Sequence, residues 1–366
     1  MKLSSHSGPG RSPGVRAGAE RGLALVVVMV LVLSMAVIAG AFAYAMKIET
    51  RLSVRTQSNG ELEWLGRSGV EFARWVLEQQ RRIPGEGRYH ALNQFWAGGP
   101  GPTNDVDNPF IGTTLKNLEV GPGRISIEIV DAERKLNINR MNDPRRMQLI
   151  LEQMGVVGGD ADSLINAIGD WRDPDNNPRA GNGAEDDFYL GMDPPYYAKN
   201  APIDDISELL KIRGVTPELY WGARFRGRSR ESGQEAGPIP AIGLADVFCA
   251  VSGDGVNINT APLPVLQVIM GGDPFIAQQV MTQRAGLDGV DGTFDDTPFP
   301  TPPNLGQLTA GGAGAVPGAG VGLVTSSSVF EIRVTAEIGG LRKRYFALFR
   351  QGGVPLGQVM VFHPDE

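Results

Sequence analysis

The first strong pattern along the chain is an uncharged apolar run from Leu23 to Met46, which lies between Arg21 and Lys47. At about 1.5 Å per residue, a helix of this length spans roughly 36 Å and can cross a hydrocarbon core of about 30 Å. The run therefore predicts a membrane-spanning helix. A removable secretory signal is the alternative, because the end of the run carries the small alternating residues that signal peptidase accepts: Ala41, Ala43 and Ala45.

After this run the pattern becomes that of an amphipathic helix. Apolar or small residues recur at steps of three and four, which places them on one face: Leu62, Leu65, Gly69, Ala73, Val76 and Leu77. Pro84 and Gly85 give a stop signal, so we expect one continuous helix from Leu23 to about Arg82. Because an exposed apolar stripe is costly unless it is covered, we expect part of this face to contact partner proteins: Leu62, Leu65, Gly69 and Val76.

Strand patterns occur in two distant parts of the chain. Ile125, Ile127 and Ile129 alternate with polar residues, and a second alternating stretch begins at Phe330 and turns back at Gly339-Gly340. Alternation of this kind predicts half-buried strands, and the paired glycines predict a hairpin. We therefore expect an α+β fold in which a small antiparallel sheet packs on the long helix. Nearly two hundred residues separate the two strand regions, which predicts a large insertion.

The insertion reads as helical and contains a weak internal repeat. Asn-Ile-Asn begins at Asn137 and again at Asn257, and each copy is followed by an apolar helix, Gly-Gly-Asp and a second helix. "DDISELLKIRGVTPELYWG" adds a further short helix pair. Three residues are expected to cap helices of the repeat, by their type and position: Asp160, Thr260 and Asp273.

Charge and residue usage narrow the classes of function. The chain of 366 residues has a net charge of −7, and its first 22 residues contribute +3, which leaves −10 for the remainder. An acidic body disfavours nucleic-acid binding, which needs a basic surface. The one cysteine, Cys249, cannot form an intrachain disulfide. The three histidines are far apart, and no nucleophile elbow, phosphate loop or CxxC pair is present, so no enzyme activity is expected.

Acidic residues concentrate between Asp170 and Asp193, among Asn, Gly and Pro residues that predict a folded loop. Carboxylates from one such loop suit Ca²⁺, which takes about 6–8 oxygen ligands. The spacing is not that of an EF-hand, and composition alone favours a solvated acidic turn. The stretch 286–324, rich in Gly and Pro, includes a second acidic run, for which a flexible surface loop is the preferred interpretation.

The layout of a basic leader ending at Gly22, a long apolar helix and an amphipathic continuation resembles the type IV pilin and pseudopilin families. In those families a dedicated prepilin peptidase cuts after the glycine, which here implies cleavage between Gly22 and Leu23. Typical members carry Glu at the fifth mature position, whereas this chain has Val27. That departure resembles the K class of minor pseudopilins of type II secretion. So do several segments in order: "INAIGDWRDPD", "GAEDDFYLGMDPPY", "DISELLKIRGVTPELY" and "VNINTAPLPVL".

The resemblance implies a structural subunit at the tip of a type II secretion pseudopilus, with I- and J-class minor pseudopilins as partners. It implies a single pass through the inner membrane, with the C-terminal domain in the periplasm, and bound calcium in the insertion. The ligands carried over are Asp173, Asp175, Glu185, Asp186 and Asp187. It divides the chain into a leader (1–22), a transmembrane helix (23–46), its amphipathic continuation (47–83), a pilin-like body (84–139 and 325–366), two SAM-like helical units (140–225 and 240–285) and a loop (286–324).

Two other functions stay open at this point. One is a membrane-anchored periplasmic binding protein with a calcium-stabilised helical domain. The other is a membrane-anchored DNA-uptake protein, since paired helices joined by Gly-rich turns also occur in helix-hairpin-helix modules. The acidic body and the aspartates at those turns, Asp160 and Asp273, argue against the second alternative.

Overall fold

The computed structural model describes residues 17–102, 108–180, 182–224, 241–303, 322–352 and 357–365. The chain forms two compact units, with the boundary between Glu61 and Leu62. The first helix, α1, runs without interruption from Ala17 to Gln80. The continuous helix expected from the two hydrophobic patterns is therefore confirmed, with an end two residues before the expected one.

The first unit contains the apolar part of α1. Its described apolar side chains, from Leu25 onward, are exposed along the whole run. Within the described residues α1 is the one helix long and apolar enough to cross a membrane, by length and composition. The hydroxyl groups of Ser34 and Thr50 donate to carbonyl oxygens four residues earlier, which pairs these polar groups inside the helix.

The second unit combines one sheet with many short helices. Its strands are β1 (Leu118–Val120), β2 (Gly123–Asp131), β3 (Leu136–Asn137), β4 (Phe248–Cys249), β5 (Gly255–Asn257), β6 (Gly322–Val324), β7 (Val329–Ile338), β8 (Leu341–Arg350) and β9 (Gln358–Pro364). Its α-helices are α2 (Pro144–Gln153), α3 (Gly159–Arg172), α4 (Asp186–Tyr189), α5 (Pro217–Trp221), α6 (Leu244–Val247), α7 (Leu263–Ile269) and α8 (Pro274–Arg284). Its 3-10 helices cover Phe95–Ala97, Ala132–Arg134, Ile138–Arg140, Ile206–Lys211 and Gly222–Arg224.

The main sheet has five strands in the order β1-β2-β7-β8-β9, and every neighbouring pair is antiparallel. β2 thus pairs with β7 across the whole insertion, with Ile129 opposite Ile332. The β7–β8 hairpin turns at Gly339 and Gly340, whose φ angles of 55° and 82° are those of a two-residue turn that favours glycine. These elements confirm the predicted α+β class.

One face of the sheet packs against the second part of α1, from Leu62 onward. Alternate residues of β2, β7 and β8 are buried with that part of the helix in one core. Two glycines of α1 allow the close approach. A Cβ at Gly66 would lie 2.5 Å from Cδ2 of Tyr345, and one at Gly69 would lie 2.5 Å from Cγ1 of Val334. Larger residues at these positions would separate the helix from the sheet.

This packing corrects the predicted partner-binding stripe. Leu62, Leu65, Gly69 and Val76 are all buried within this core. The periodicity correctly identified one face of α1, but that face is covered by the sheet of the same chain. Strands β7 and β8 are distant in sequence, so the helix pattern alone did not show what would cover it.

The insertion between β2 and β7 has its own core. α2–α3 and α7–α8 each form a helical pair, and their apolar residues belong to a single hydrophobic cluster. The structure shows the same arrangement in both copies of the Asn-Ile-Asn repeat. The first asparagine, Asn137 or Asn257, accepts a bond from the backbone N–H two residues later. The second, Asn139 or Asn259, exchanges two bonds with the backbone of a distant loop residue.

The helix caps agree only in part with expectation. Asp273 caps α8 by accepting bonds from the N–H groups of Phe275 and Ile276, as predicted. Asp160 lies in the first turn of α3, whose cap is Gly158. Thr260 does not cap α7, because that helix begins after Pro262; its hydroxyl donates to a buried carboxylate instead.

Candidate metal centre

Three carboxylates meet where α3 ends. Asp173 follows the last residue of α3, Asp175 lies in the loop, and Glu185 immediately precedes α4. One oxygen from each lies within 4.8 Å of the others. Within the described residues this is the one group of three or more potential metal-binding side chains that meet in this way. Three of the five predicted calcium ligands therefore lie close enough together to share one cation.

Glu185 is the most unusual member of this group. Its side chain is 3% exposed, and neither carboxylate oxygen has a hydrogen-bond partner. Oδ1 of Asp173 is likewise buried without a partner. The pKa of Glu185 is raised to about 7, mainly by burial and also by the negative charges of Asp170, Asp173, Asp175 and Asp186. A buried carboxylate without a donor is costly, and a cation among the three side chains would offset that cost.

The loop is held in place by neighbouring groups outside the cluster of three carboxylates. Asp170 is fully buried and accepts bonds from the backbone N–H groups of Arg179 and Ala184, the latter at 2.8 Å. The Arg179 guanidinium also contacts Asp173 Oδ2 at 2.8 Å. A Cβ at Gly183 would lie 2.0 Å from Asp170 Oδ2, so glycine is needed there. These contacts bring Glu185 back toward the end of α3.

Asp186 and Asp187 are not part of the cluster, which corrects two of the predicted ligands. Both lie in the first turn of α4. Asp186 Oδ1 accepts a bond from the backbone N–H of Ala198 at 2.9 Å, and Asp187 is exposed. Neighbouring carboxylates on a helix point in different directions, so sequence adjacency to Glu185 does not bring them to the same place.

The donor set fits a hard cation. All three groups offer carboxylate oxygens, which suit Ca²⁺ or Mg²⁺, and Ca²⁺ tolerates the irregular geometry of a flexible loop. The unpaired oxygens of Glu185 and Asp173 are the observation that supports binding. The remaining ligand positions on a calcium ion would be filled by water or carbonyl groups. Asp175 Oδ1 already accepts bonds from Asn177, so this oxygen would contribute less to binding a cation than the unpaired oxygens of Glu185.

A second polar centre, which sequence reasoning missed, joins the insertion to the sheet. Asp131 at the end of β2 is buried, and its Oδ2 accepts bonds from Ser327, Thr260 and Asn257, at 2.6, 2.5 and 3.0 Å. Burial raises the pKa of Asp131 to about 6, although the bonds from Ser327 and Thr260 oppose this rise. The nearby His90 has its pKa lowered to about 4, mainly by burial.

These residues include a serine, a histidine and an aspartate, but they do not form a catalytic triad. The Ser327 hydroxyl donates to Asp131, whereas His90 Nδ1 accepts the backbone N–H of Ser327 at 2.9 Å. A histidine base would have to accept the hydroxyl proton. The hydrogen bonds of this centre therefore link the end of β2 to the insertion.

The remaining predicted site lies in α1. Gly22 and Leu23 are both within this helix, and cleavage between them stays a prediction. The leader residues 1–16 are outside the described part of the chain.

The family model and the sequence relatives that match this chain carry the same description. Residues 129–224 match the family described as type II secretion system (T2SS), protein K. The type II secretion system protein K of Aeromonas hydrophila is 27% identical over 345 residues, which cover 90% of this chain and 93% of that protein. The protein of the same name from Pseudomonas aeruginosa is 27% identical over 270 residues, 72% of each chain.

A solved structure agrees with the sequence relatives. The fold resembles a chain in the crystal structure of the GspK-GspI-GspJ complex from the type 2 secretion system of enterotoxigenic Escherichia coli. The TM-score is 0.59 at 18% identity, and the match covers 86% of this chain and 99% of that one. The long helix, the sheet and the insertion thus form an arrangement already seen in a secretion-system protein. Over most of its length the chain is therefore similar to the K proteins of the type II secretion system.

Proposed function

We propose that the chain is a minor pseudopilin at the tip of the type II secretion pseudopilus, where it serves as a structural subunit rather than an enzyme. One observation carries the proposal: the fold matches, over 86% of the chain, a protein solved in complex with GspI and GspJ. The insertion of nearly two hundred residues fits a tip position, because such a bulky domain would obstruct stacking within a fibre. Val27, in place of an acidic residue, fits a subunit that pairs with no subunit above it.

The proposed location is the inner membrane, crossed once by α1. Basic residues precede the apolar run, which favours a cytoplasmic N-terminus and a periplasmic body: Lys2, Arg11, Arg16 and Arg21. Prepilin peptidase would cut between Gly22 and Leu23. The intact mass of the mature protein tests this step, and Gly22→Leu should block maturation. A mature N-terminus at Ala43, Tyr44 or Met46 would instead indicate signal peptidase and overturn the proposal.

The proposed partners are I- and J-class minor pseudopilins. Since the apolar stripe of α1 is covered by the sheet, the surface available to partners is the opposite face of the helix. Trp64 lies there and is 72% exposed, which is unusual for so large a side chain. We therefore assign it to the partner contact, in place of its buried neighbour Leu65.

Co-purification with the two partner pseudopilins tests this assignment. Trp64→Glu should abolish or strongly reduce recovery of the complex while the melting temperature stays unchanged, because the side chain is not in the core. Glu63→Lys, an adjacent exposed change, is the matched control and should retain the complex. Full recovery with Trp64→Glu would exclude this face as the contact.

For the acidic loop we propose bound Ca²⁺ held by Asp173, Asp175 and Glu185. When bound, the ion would neutralise three converging carboxylates. The role of the loop's own residues is to hold the end of α3 beside the start of α4, with Asp170 and Arg179 fixing the chain between them. The proposed effect is on the stability of the insertion, since no reacting group lies in the cluster.

A further inference from the structure

The loop that follows α8 exposes three large apolar side chains within eight residues. Leu287 is 100% exposed, Val290 56% and Phe294 71%. We call these three residues the apolar tip. Single exposed apolar residues are common on soluble proteins, but several concentrated on one surface turn indicate an interaction site.

The loop that carries the apolar tip has a fixed conformation. Asp295 Oδ2 accepts bonds from the backbone N–H groups of Leu287 and Asp288, at 2.7 and 2.9 Å. Asp296 accepts the N–H groups of Gly292 and Thr293, at 2.8 and 3.2 Å. A surface that is already ordered loses less conformational entropy when it binds. This part of the predicted flexible loop is therefore well organised.

The loop is also fixed to the core of the insertion at both ends. At its start, buried Arg284 pairs with Asp291 at 2.7 Å and donates to the carbonyl groups of Ile258 and Ala261. At its end, Phe299 is buried and its backbone exchanges two bonds with Asn259. The chain thus buries one aromatic residue beside the loop and leaves Phe294 outside. The contacts at both ends of the loop fix its backbone in a conformation that leaves the apolar tip exposed to solvent.

The charge around the apolar tip restricts what can cover it. Residues 285–303 contain four aspartates and no lysine or arginine. Asp291 is neutralised by Arg284, so Asp288, Asp295 and Asp296 leave the loop negative. An anionic membrane surface would repel it. A second copy is also disfavoured, since the chain after residue 22 has a net charge of −10.

We propose that the apolar tip docks into an apolar pocket, bordered by lysine and arginine, on a different folded protein. Apolar contact supplies affinity, and the surrounding opposite charges supply orientation. This inference goes beyond the proposed pseudopilus assembly, because it concerns a loop of the insertion and not the Trp64 face of α1. It does not require contact with the I- and J-class proteins.

Photo-crosslinking of the full chain in its own membrane tests the proposal. The photoreactive residue benzoylphenylalanine replaces Phe294, and the control places it at Gln283, which is also exposed but lies in α8. We expect an adduct with one other protein from position 294 and none from position 283. The adducted peptide, mapped by mass spectrometry, should contain apolar residues together with lysine or arginine.

Two further measurements make the result decisive. Leu287→Ser combined with Val290→Ser should reduce the adduct about tenfold without lowering the melting temperature, because both side chains are exposed and these two residues hold the loop through backbone groups. Raised salt should also reduce the adduct, since it screens the charges. Adducts with lipid or with the chain itself, equal adducts from both positions, or a yield unaffected by the double variant or by salt would overturn the proposal. Co-purification with the two partner pseudopilins, followed in parallel, reports separately on the proposed function.

Discussion

The two helical pairs of the insertion share one local design but end in loops of opposite character. In each, an Asn-Ile-Asn segment with a buried central isoleucine precedes two helices. The last residue of the second helix is an arginine that donates to the carbonyl of that isoleucine. These bonds are Arg172 to Ile138 and Arg284 to Ile258. Both helices are followed by acidic loops. In the first loop neither carboxylate oxygen of Glu185 has a hydrogen-bond donor, whereas in the second Asp295 and Asp296 accept backbone N–H groups.

This difference shows in the electrostatics of the two loops. The pKa of Glu185 in the first loop is raised to about 7, mainly because the carboxyl group is buried. The pKa of Asp295 in the second loop is lowered to about 2, because Thr293 and the N–H groups of Asp288 and Leu287 donate to it. Two loops of similar acidic composition therefore differ. One is a candidate cation site, and the other is a turn whose own backbone N–H groups donate to its carboxylates. The difference lies at Glu185, which has no donor, whereas Asp295 accepts two backbone N–H groups.

The largest expected effect comes from the two arginines. Arg284 is buried, and its loss would leave Asp291 and two carbonyl groups without their donor. Removal of one partner of a buried ion pair costs about 3–5 kcal/mol, so we expect Arg284→Ala to lower the free energy of unfolding by that amount. Arg172 lies at the same place in the first pair but is only partly buried, so Arg172→Ala should cost less.

Urea unfolding of the full chain in detergent, followed by tryptophan fluorescence, measures both changes. If Arg172→Ala proves as damaging as Arg284→Ala, the two pairs depend equally on this contact, and the asymmetry between them lies in the acidic loops alone.

The next effect concerns calcium. A ligand that binds only the folded state adds about 2.7 kcal/mol at a hundredfold excess over its dissociation constant. We expect Ca²⁺ to raise the melting temperature of the wild-type chain and to leave Glu185→Gln unchanged. Asp295→Asn is the matched control in the second loop and should keep the full response to Ca²⁺.

Titration of chelated protein with Ca²⁺ in a calorimeter gives a second measure of the same difference. No heat and no shift in melting temperature for the wild type would reduce the first loop to a solvated acidic turn. A response lost in Asp295→Asn and kept in Glu185→Gln would place the ion in the other loop.

Sequence patterns predicted the helices and strands better than they predicted which segments pack against them. The continuous helix, the strand of Ile125 to Ile129 and the closing hairpin follow from local periodicity, which backbone geometry imposes directly. What covers each face depends on contacts between distant segments. For this reason the stripe of Leu62 and Val76 was assigned to partners, although the sheet of the same chain buries it.

The candidate site was predictable to a similar degree. The loop was located by its composition, and Asp173, Asp175 and Glu185 were among the five residues named. Exclusion of Asp186 required the contact with Ala198, which no spacing rule supplies. The arginines that end α3 and α8 could have been found, because they occur at equivalent places in the two repeats. They were missed because a single arginine on a helix is usually solvated.

The smallest expected effect is on the pH dependence of stability without calcium. Because the folded-state pKa of Glu185 is raised from 4.5 to about 7, the folded protein binds a proton more readily than the unfolded chain does. The free energy of unfolding should therefore rise as the pH falls from above 7, and this gain is complete below about 4.5. Asp295 acts in the opposite direction. Its stabilising contribution is present above its ordinary pKa of 3.8 and is lost as the pH falls through about 2.

Melting temperatures in the presence of a chelator, measured from pH 8 to pH 4, test this contrast. Asp131, whose pKa is also raised, to about 6, adds a slope of the same sign, so the informative quantity is the difference between wild type and variant. Glu185→Gln should remove part of the rise in stability between pH 7 and 4.5, whereas Asp295→Asn should keep that rise and lower stability near neutral pH. Identical profiles for wild type and Glu185→Gln would mean that Glu185 is solvated like an ordinary surface carboxylate, and the contrast between the two loops would then rest on the calcium response alone.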